Sequence, residues 1–215
     1  MLFQADRDFT AAQDVEPPTE SAPVGAAFPA SDEALMQRVG AGDVAAFRTI
    51  VERHSRALYR VASRMLADGA EAEEVVQEAF ARLWQGAPRW QASGAGLVAW
   101  LHRVAVNACL DRLRRFRVVT VDTVPDIADE TPGPDRMVAR SQLDAALQRA
   151  LAQMQHRHRA VLVLCYLEGF TNALAAEILG LTLKATESLL VRARKSLRAI
   201  LEDSGILGEE LEVLA

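Results

Sequence analysis

Residues 183–198, LKATESLLVRARKSLR, restrict the fold of this chain more than any other stretch. They follow a short helix-like segment at 172–179 and a break at Gly180 and Leu181. That is the rhythm of a helix-turn-helix, whose second helix lies in a DNA major groove. At about 100° per residue, Leu183, Thr186, Leu190, Ala193 and Leu197 share one side. Lys184, Ser188, Val191, Arg192, Lys195 and Arg198 share the other. One face is expected to seat on a core while the other meets phosphates and base edges. A second basic helix is expected far upstream, at 97–117. Two separated DNA-reading elements in 215 residues narrow the choice of architecture sharply.

A net charge of −5 looks wrong for a DNA binder until it is divided along the chain. Residues 1–33 carry seven acids and one base, and residues 202–215 carry five acids and no base. Residues 34–201 are therefore basic by +6, an electrostatic footprint suited to nucleic acid that the whole-chain charge conceals. Half the residues are hydrophobic but only 6% are aromatic, and Ala, Leu, Val and Arg dominate the periodic segments. That mix favours helices over strands. Cys109 and Cys165 lie within apolar helical patterns without metal or disulfide spacing, so both read as reduced thiols in or near a core. No apolar run approaches the roughly 20 residues that cross a bilayer. Asp6, Arg7 and Asp8 interrupt any signal-peptide pattern, so a cytoplasmic protein without membrane insertion is expected.

The expected fold class is all-α, two small helical domains joined by a flexible linker. Residues 1–30 hold Pro17, Pro18, Pro23 and Pro29 among small and acidic residues and read as a disordered tail. Residues 31–117 form the first expected domain. Its helices are placed at about 32–41, 44–66, 70–84 and 97–117, with Ser31 or Asp32 and then Asp43 as caps, a turn at Asp68 and Gly69, and a loop at 86–96. Residues 118–138, with Pro125, Pro132, Pro134 and several acids, read as the linker. Residues 139–202 form the second domain, broken near Gln155 and Gly169, and 203–215 an acidic tail.

Four segments, in this order, resemble the extracytoplasmic-function group of bacterial sigma-70-family factors. DEALMQRVGAGDVAAFRTIVERH (32–54) resembles the start of sigma region 2. AEAEEVVQEAFARLWQ (70–85) resembles the segment that grips core RNA polymerase, and AWLHRVAVNACLDRLRR (99–115) the reader of the −10 promoter element. ALAQMQHRHRAVLVLCYLEGFTNALAAEILGLTLKATESLLVRAR (150–194) resembles region 4, which reads the −35 element as duplex. No equivalent of region 1.1 or region 3 appears, as suits this minimal group. The resemblance implies a dissociable polymerase subunit that directs initiation at a stress-type regulon, with an anti-sigma factor covering the polymerase-binding faces. No cofactor, metal or catalytic site is expected.

Residue by residue, Glu71, Glu74 and Glu78 fall on one helical side with Gln77 nearby. Alone they read as a solvated acidic face. The resemblance implies that they meet basic side chains on the clamp coiled coil of the polymerase largest subunit. Ala72, Val76, Phe80 and Leu83 face inward. In the 97–117 helix, Leu97, Leu101, Val104 and Ala108 form the inward stripe, opposite Trp100, Arg103, Asn107 and Arg114. Such a face suits single-stranded DNA, since aromatics stack, Arg neutralises phosphate and Asn reads a base edge. Trp100 could equally anchor one helix to another. Arg112, Arg115 and Arg117 suit phosphate contacts, and Arg112, Arg114 and Arg115 join the −10 candidates. The resemblance implies that the preceding loop, 85–96, captures a flipped base.

Lys184, Ser188, Arg192, Arg194 and Lys195 are the −35 candidates. Many family members carry basic residues at the positions of Glu187 and Leu189, and this chain does not. Glu187 could accept from a cytosine amino group, or pair with Arg194 or Lys184 at the surface. His156 and His158 are two apart and do not face each other on a helix. An operator-binding helix-turn-helix regulator would explain 183–198 but not the two upstream segments. A sigma-like module repurposed to hold a regulator is a third reading. The acidic N-terminal tail could fold back on the basic middle and weaken non-specific DNA binding.

Overall fold

The computed structural model describes residues 30–92, 94–119 and 136–204, and every regular element among them is helical. Helix α1 spans Asp32–Gly40, α2 Val44–Leu66, α3 Gly69–Gly86 and α4 Gly96–Val119. Helix α5 spans Arg136–Gln153, α6 His156–Leu162, α7 Asn172–Leu179 and α8 Leu183–Asp203. A single 3-10 turn, Ala87–Arg89, follows α3, and a π-helical stretch, Val163–Leu167, follows α6.

Side-chain caps fix most of the starts. Ser31 Oγ accepts from the Ala34 N–H, Asp43 accepts from Ala45 and Ala46, and Asp68 accepts from Glu71. Each satisfies a backbone donor that the first turn leaves without a partner. Thr171 and Thr182 do the same for the two helices of the helix-turn-helix. Helix α7 ends at Gly180, whose φ of +65° closes the helix while the Leu181 N–H bonds back to the Ala176 carbonyl.

The expected linker ends are helical. Helix α4 runs on to Val119 and α5 starts at Arg136, so 118–119 and 136–138 belong to helices and only 120–135 lies outside the described residues. The expectations for 1–29 and 205–215 also lie outside them.

In the first four helices the core is built from Leu35 and Met36, Ile50, Leu58, Val61 and Met65, then Val75, Leu83, Leu97, Leu101 and Cys109. Helices α5 to α8 add Leu151, Val161, Leu164, Ile178, Leu190 and Ala193. These two sets merge in one apolar cluster, and the residues from Ser31 onward form one compact unit. Helix α4 packs on α7, and α2 packs on α5 and α6. Polar contacts reinforce the seam. Arg60 pairs with Glu168 at 2.6 Å, and Gln148 donates to the carbonyls of Ser63 and Arg64 at 3.1 and 3.2 Å. Buried Arg159 donates to the carbonyls of Met65 and Ala152, and the His102 ring meets Phe170 edge-on at 4.9 Å.

Candidate promoter and polymerase interface

Helix α3 turns an acidic face towards α4. Arg112, on α4, reaches across to it. Its guanidinium lies 2.9 Å from Glu71, 3.1 Å from Glu78 and 3.7 Å from Glu74, and is only 19% exposed. Glu78 also pairs with Arg82 one turn on. The three carboxylates and Arg112 line one wall-to-wall cleft of 420 Å³ with Asp111 and Arg115. The acids are therefore neither fully solvated nor free. Arg112 is within reach of all three, and it ties the acidic helix to its neighbour. Gln77 and Glu73 stand exposed at the edge. Arg112 is thus committed to protein carboxylates here, unlike Arg115, which is exposed, and Arg114, which is exposed and pairs loosely with Asp111 at 3.5 Å.

At the head of α4 the chain folds into a second cavity, of 390 Å³, lined by Leu83, Gly86, Arg89, Trp90, Gln91, Gly96 and Trp100. Two indoles, a guanidinium and an amide converge there. Trp100 is half-buried, serving both as a wall of this cavity and as packing against the core. Arg103 and Asn107 follow along α4 and are exposed. Leu97, Leu101 and Ala108 are buried as expected, with Val104 half-buried. An apolar floor with stacking walls and a few polar groups is a form that holds one flat heteroaromatic ring.

Helix α8 presents Lys184, Ser188, Val191, Arg192 and Lys195 to solvent, and Arg194 and Glu187 are exposed too. Ser188 Oγ donates to the Lys184 carbonyl, and Arg192 Nε donates to the Ser188 carbonyl. Thr186, Leu190 and Ala193 are buried. Leu183 is a correction: it is 47% exposed, and Leu189 takes its place in the core. Leu183 is the first residue of the helix, next to its Thr182 cap, and about half of it stays in solvent. Glu187 forms no ion pair with Arg194 or Lys184 among the described residues.

The sigma-70 region 2 family matches residues 50–117, and the sigma-70 region 4 family matches residues 144–197. The first range takes in α3 and all but the last two residues of α4, and the second takes in α7 and most of α8. The RNA polymerase sigma factor NccH of Alcaligenes xylosoxydans xylosoxydans is 33% identical over 185 residues, covering 83% of this chain and 98% of that protein. The ECF RNA polymerase sigma factor SigM of Mycobacterium tuberculosis is 34% identical over 171 residues, covering 80% of this chain and 85% of that protein. This chain is an extracytoplasmic-function sigma factor of the sigma-70 family. Among solved structures, CnrH in complex with the cytosolic domain of CnrY superposes with a TM-score of 0.61 at 28% identity, over 80% of this chain and 97% of that one.

In this sigma factor, sequence reasoning missed the groups contributed by the 86–96 loop. Trp90 is the only aromatic residue of that loop, but it sits between Arg89 and Gln91, a stacking group flanked by two polar ones. That Arg-Trp-Gln string was the available signal. Glu177 of α7 was missed too, because its partner, the Ala95 N–H, is 82 residues away. Neither thiol is poised for chemistry. Burial pushes Cys109 up to about 12 and raises Cys165 as well. Among the described residues no group of His, Cys, Asp or Glu could hold a metal ion, and no helix is long and apolar enough to cross a membrane.

Proposed function

We propose that the sigma factor engages core polymerase through the acidic face of α3 and reads the −10 element as single strand along α4. The residues concerned are Glu71, Glu74, Gln77 and Glu78 on α3, then Trp100, Arg103, Asn107, Arg114 and Arg115 on α4. Lys184, Ser188, Arg192, Arg194 and Lys195 on α8 meet the −35 duplex. The observation that carries this reading is the cavity at the head of α4, where Trp90 and Trp100 stand with Arg89 and Gln91. It lies at the end of the exposed Arg103 and Asn107 surface, where a base pulled from the duplex would arrive. Unstacking a base costs a few kcal/mol. Stacking on an aromatic side chain returns about 1–3 kcal/mol, so two indoles can offset the cost.

The sigma factor works in the cytoplasm and is held in reserve by an inhibitory protein partner. CnrH, which shares its fold, was solved in complex with the cytosolic domain of CnrY.

The test is run-off transcription with core polymerase on pooled genomic fragments, followed by Trp90→Ala, Trp100→Ala and Asn107→Ala. Each is expected to lower open-complex formation about 5- to 100-fold while leaving binding to core unchanged. Full activity in all three would refute the α4 reading. Tight, specific duplex binding without polymerase, and no initiation with it, would replace it with an operator-binding regulator.

A further inference from the structure

The exposed face of α8 is built around a residue that is not polar. Val191 is 58% exposed. At about 100° per residue it lies nearly opposite Ala193, which is fully buried, so it stands at the middle of the solvent face. Lys184 and Lys195 lie within about 40° of it, along the same line of the helix. Arg192 and Arg194 flank that line, one on each side. The other large apolar residue exposed on α8 is Leu183, about 80° round the helix and so at the edge of this face.

The cations around Val191 are uncommitted. Among the described residues none of Lys184, Arg192, Arg194 and Lys195 pairs with a carboxylate. Arg192 Nε is held by the Ser188 carbonyl at 3.2 Å, which fixes the guanidinium and leaves its terminal nitrogens for phosphate. An apolar centre between two cationic flanks fits a groove with anionic walls and an apolar group on its floor. The DNA major groove offers one such group, the 5-methyl of thymine; the other base edges there present hydrogen-bond donors and acceptors. A carbonyl or amino group beneath Val191 would lose water without gaining a partner.

We infer that Val191 reads the 5-methyl group of one thymine in the −35 element. The arginines on either side meet the phosphate walls and set the depth of the helix in the groove. The valine methyls then cover the thymine methyl on the floor. Phosphate contacts position the helix but carry no sequence information, so Val191 adds a base-specific contact that the cations do not supply. The inference rests on α8 meeting the −35 duplex, as proposed above.

The experiment sets two run-off templates of different transcript length in competition for limiting holoenzyme. One carries a promoter mapped by run-off. The other is a copy in which a single −35 thymine is replaced by deoxyuridine, which pairs alike but lacks the methyl. Each thymine of the element, on either strand, is replaced in turn. Wild-type sigma factor should favour thymine about fourfold at one position, which is the effect of burying one methyl group. Val191→Ala should reduce that preference below about twofold. Alanine favours an exposed helix more than valine does, so the variant keeps its fold. A wild type indifferent to uracil at every position overturns the inference, as does a −35 element with no thymine on either strand. So does a preference that Val191→Ala retains in full, because the methyl would then act through DNA shape. If Arg192→Ala and Lys195→Ala both leave initiation at full strength, the α8 reading itself has failed, and that result is distinct from all of these.

Discussion

Replacing Arg112 with Met removes the cation that joins α3 to α4 while keeping most of its apolar stem. Two of its contacts are charge-assisted hydrogen bonds, to Glu71 at 2.9 Å and Glu78 at 3.1 Å. The third, to Glu74 at 3.7 Å, meets a side chain that is 66% exposed and adds little. A hydrogen bond to a charged group contributes about 1.5–3 kcal/mol when well shielded. Glu71 and Glu78 are 29% and 33% exposed, so solvent screening reduces each contact to roughly 0.5–1 kcal/mol. The sum is about 1–2 kcal/mol, and the three carboxylates are then left facing one another. The expected fall in melting temperature is about 2–8 °C.

Differential scanning calorimetry in low and high salt measures it. Salt should narrow the gap between Arg112→Met and wild type, since like-charge repulsion is the part that ions screen. Adding Glu78→Gln to Arg112→Met should restore part of the loss, although Glu78→Gln alone should destabilise. Binding to core polymerase should move the other way. With Arg112 gone, the carboxylates no longer have an internal competitor, so affinity for core should hold or rise. An unchanged melting temperature, or strictly additive losses in the double variant, would refute the account of Arg112 as the tie.

Two further expectations concern titratable groups. Burial lowers the His102 pKa from 6.5, against smaller opposing effects from the Val98 carbonyl and Glu168. The neutral ring is favoured in the folded state, so the unfolded chain binds the proton first. The stability due to this group is complete above about pH 6.5 and is lost as pH falls through 6.5 towards the folded value. Urea midpoints between pH 5.5 and 7.5 should therefore slope upwards, and His102→Leu should flatten that slope, leaving the share of His158, which is shifted the same way; an unchanged slope would contradict this. For the thiols, an aromatic disulfide at neutral pH should label Cys165 slowly and Cys109 only after denaturation, because Cys109 is fully buried. Mass mapping that finds Cys109 labelled first would show that the α4 core opens readily.

Local signals were legible and long-range ones were not. Ser31, Asp43 and Asp68 could be read as caps or turn residues because each acts within three residues of itself. The turn at Gly180 was legible for the same reason. The α8 register was right at Thr186, Leu190 and Ala193 and wrong at Leu183, where periodicity cannot tell whether a neighbour exists to pack against. Arg112 was placed on the correct helix but not with its partners, which lie 34 to 41 residues away. Arg159 and Glu177 gave no local signal at all. Each is a charged residue with a backbone partner in the other half, Met65 for Arg159 and Ala95 for Glu177, and a backbone group leaves no trace in the side-chain pattern.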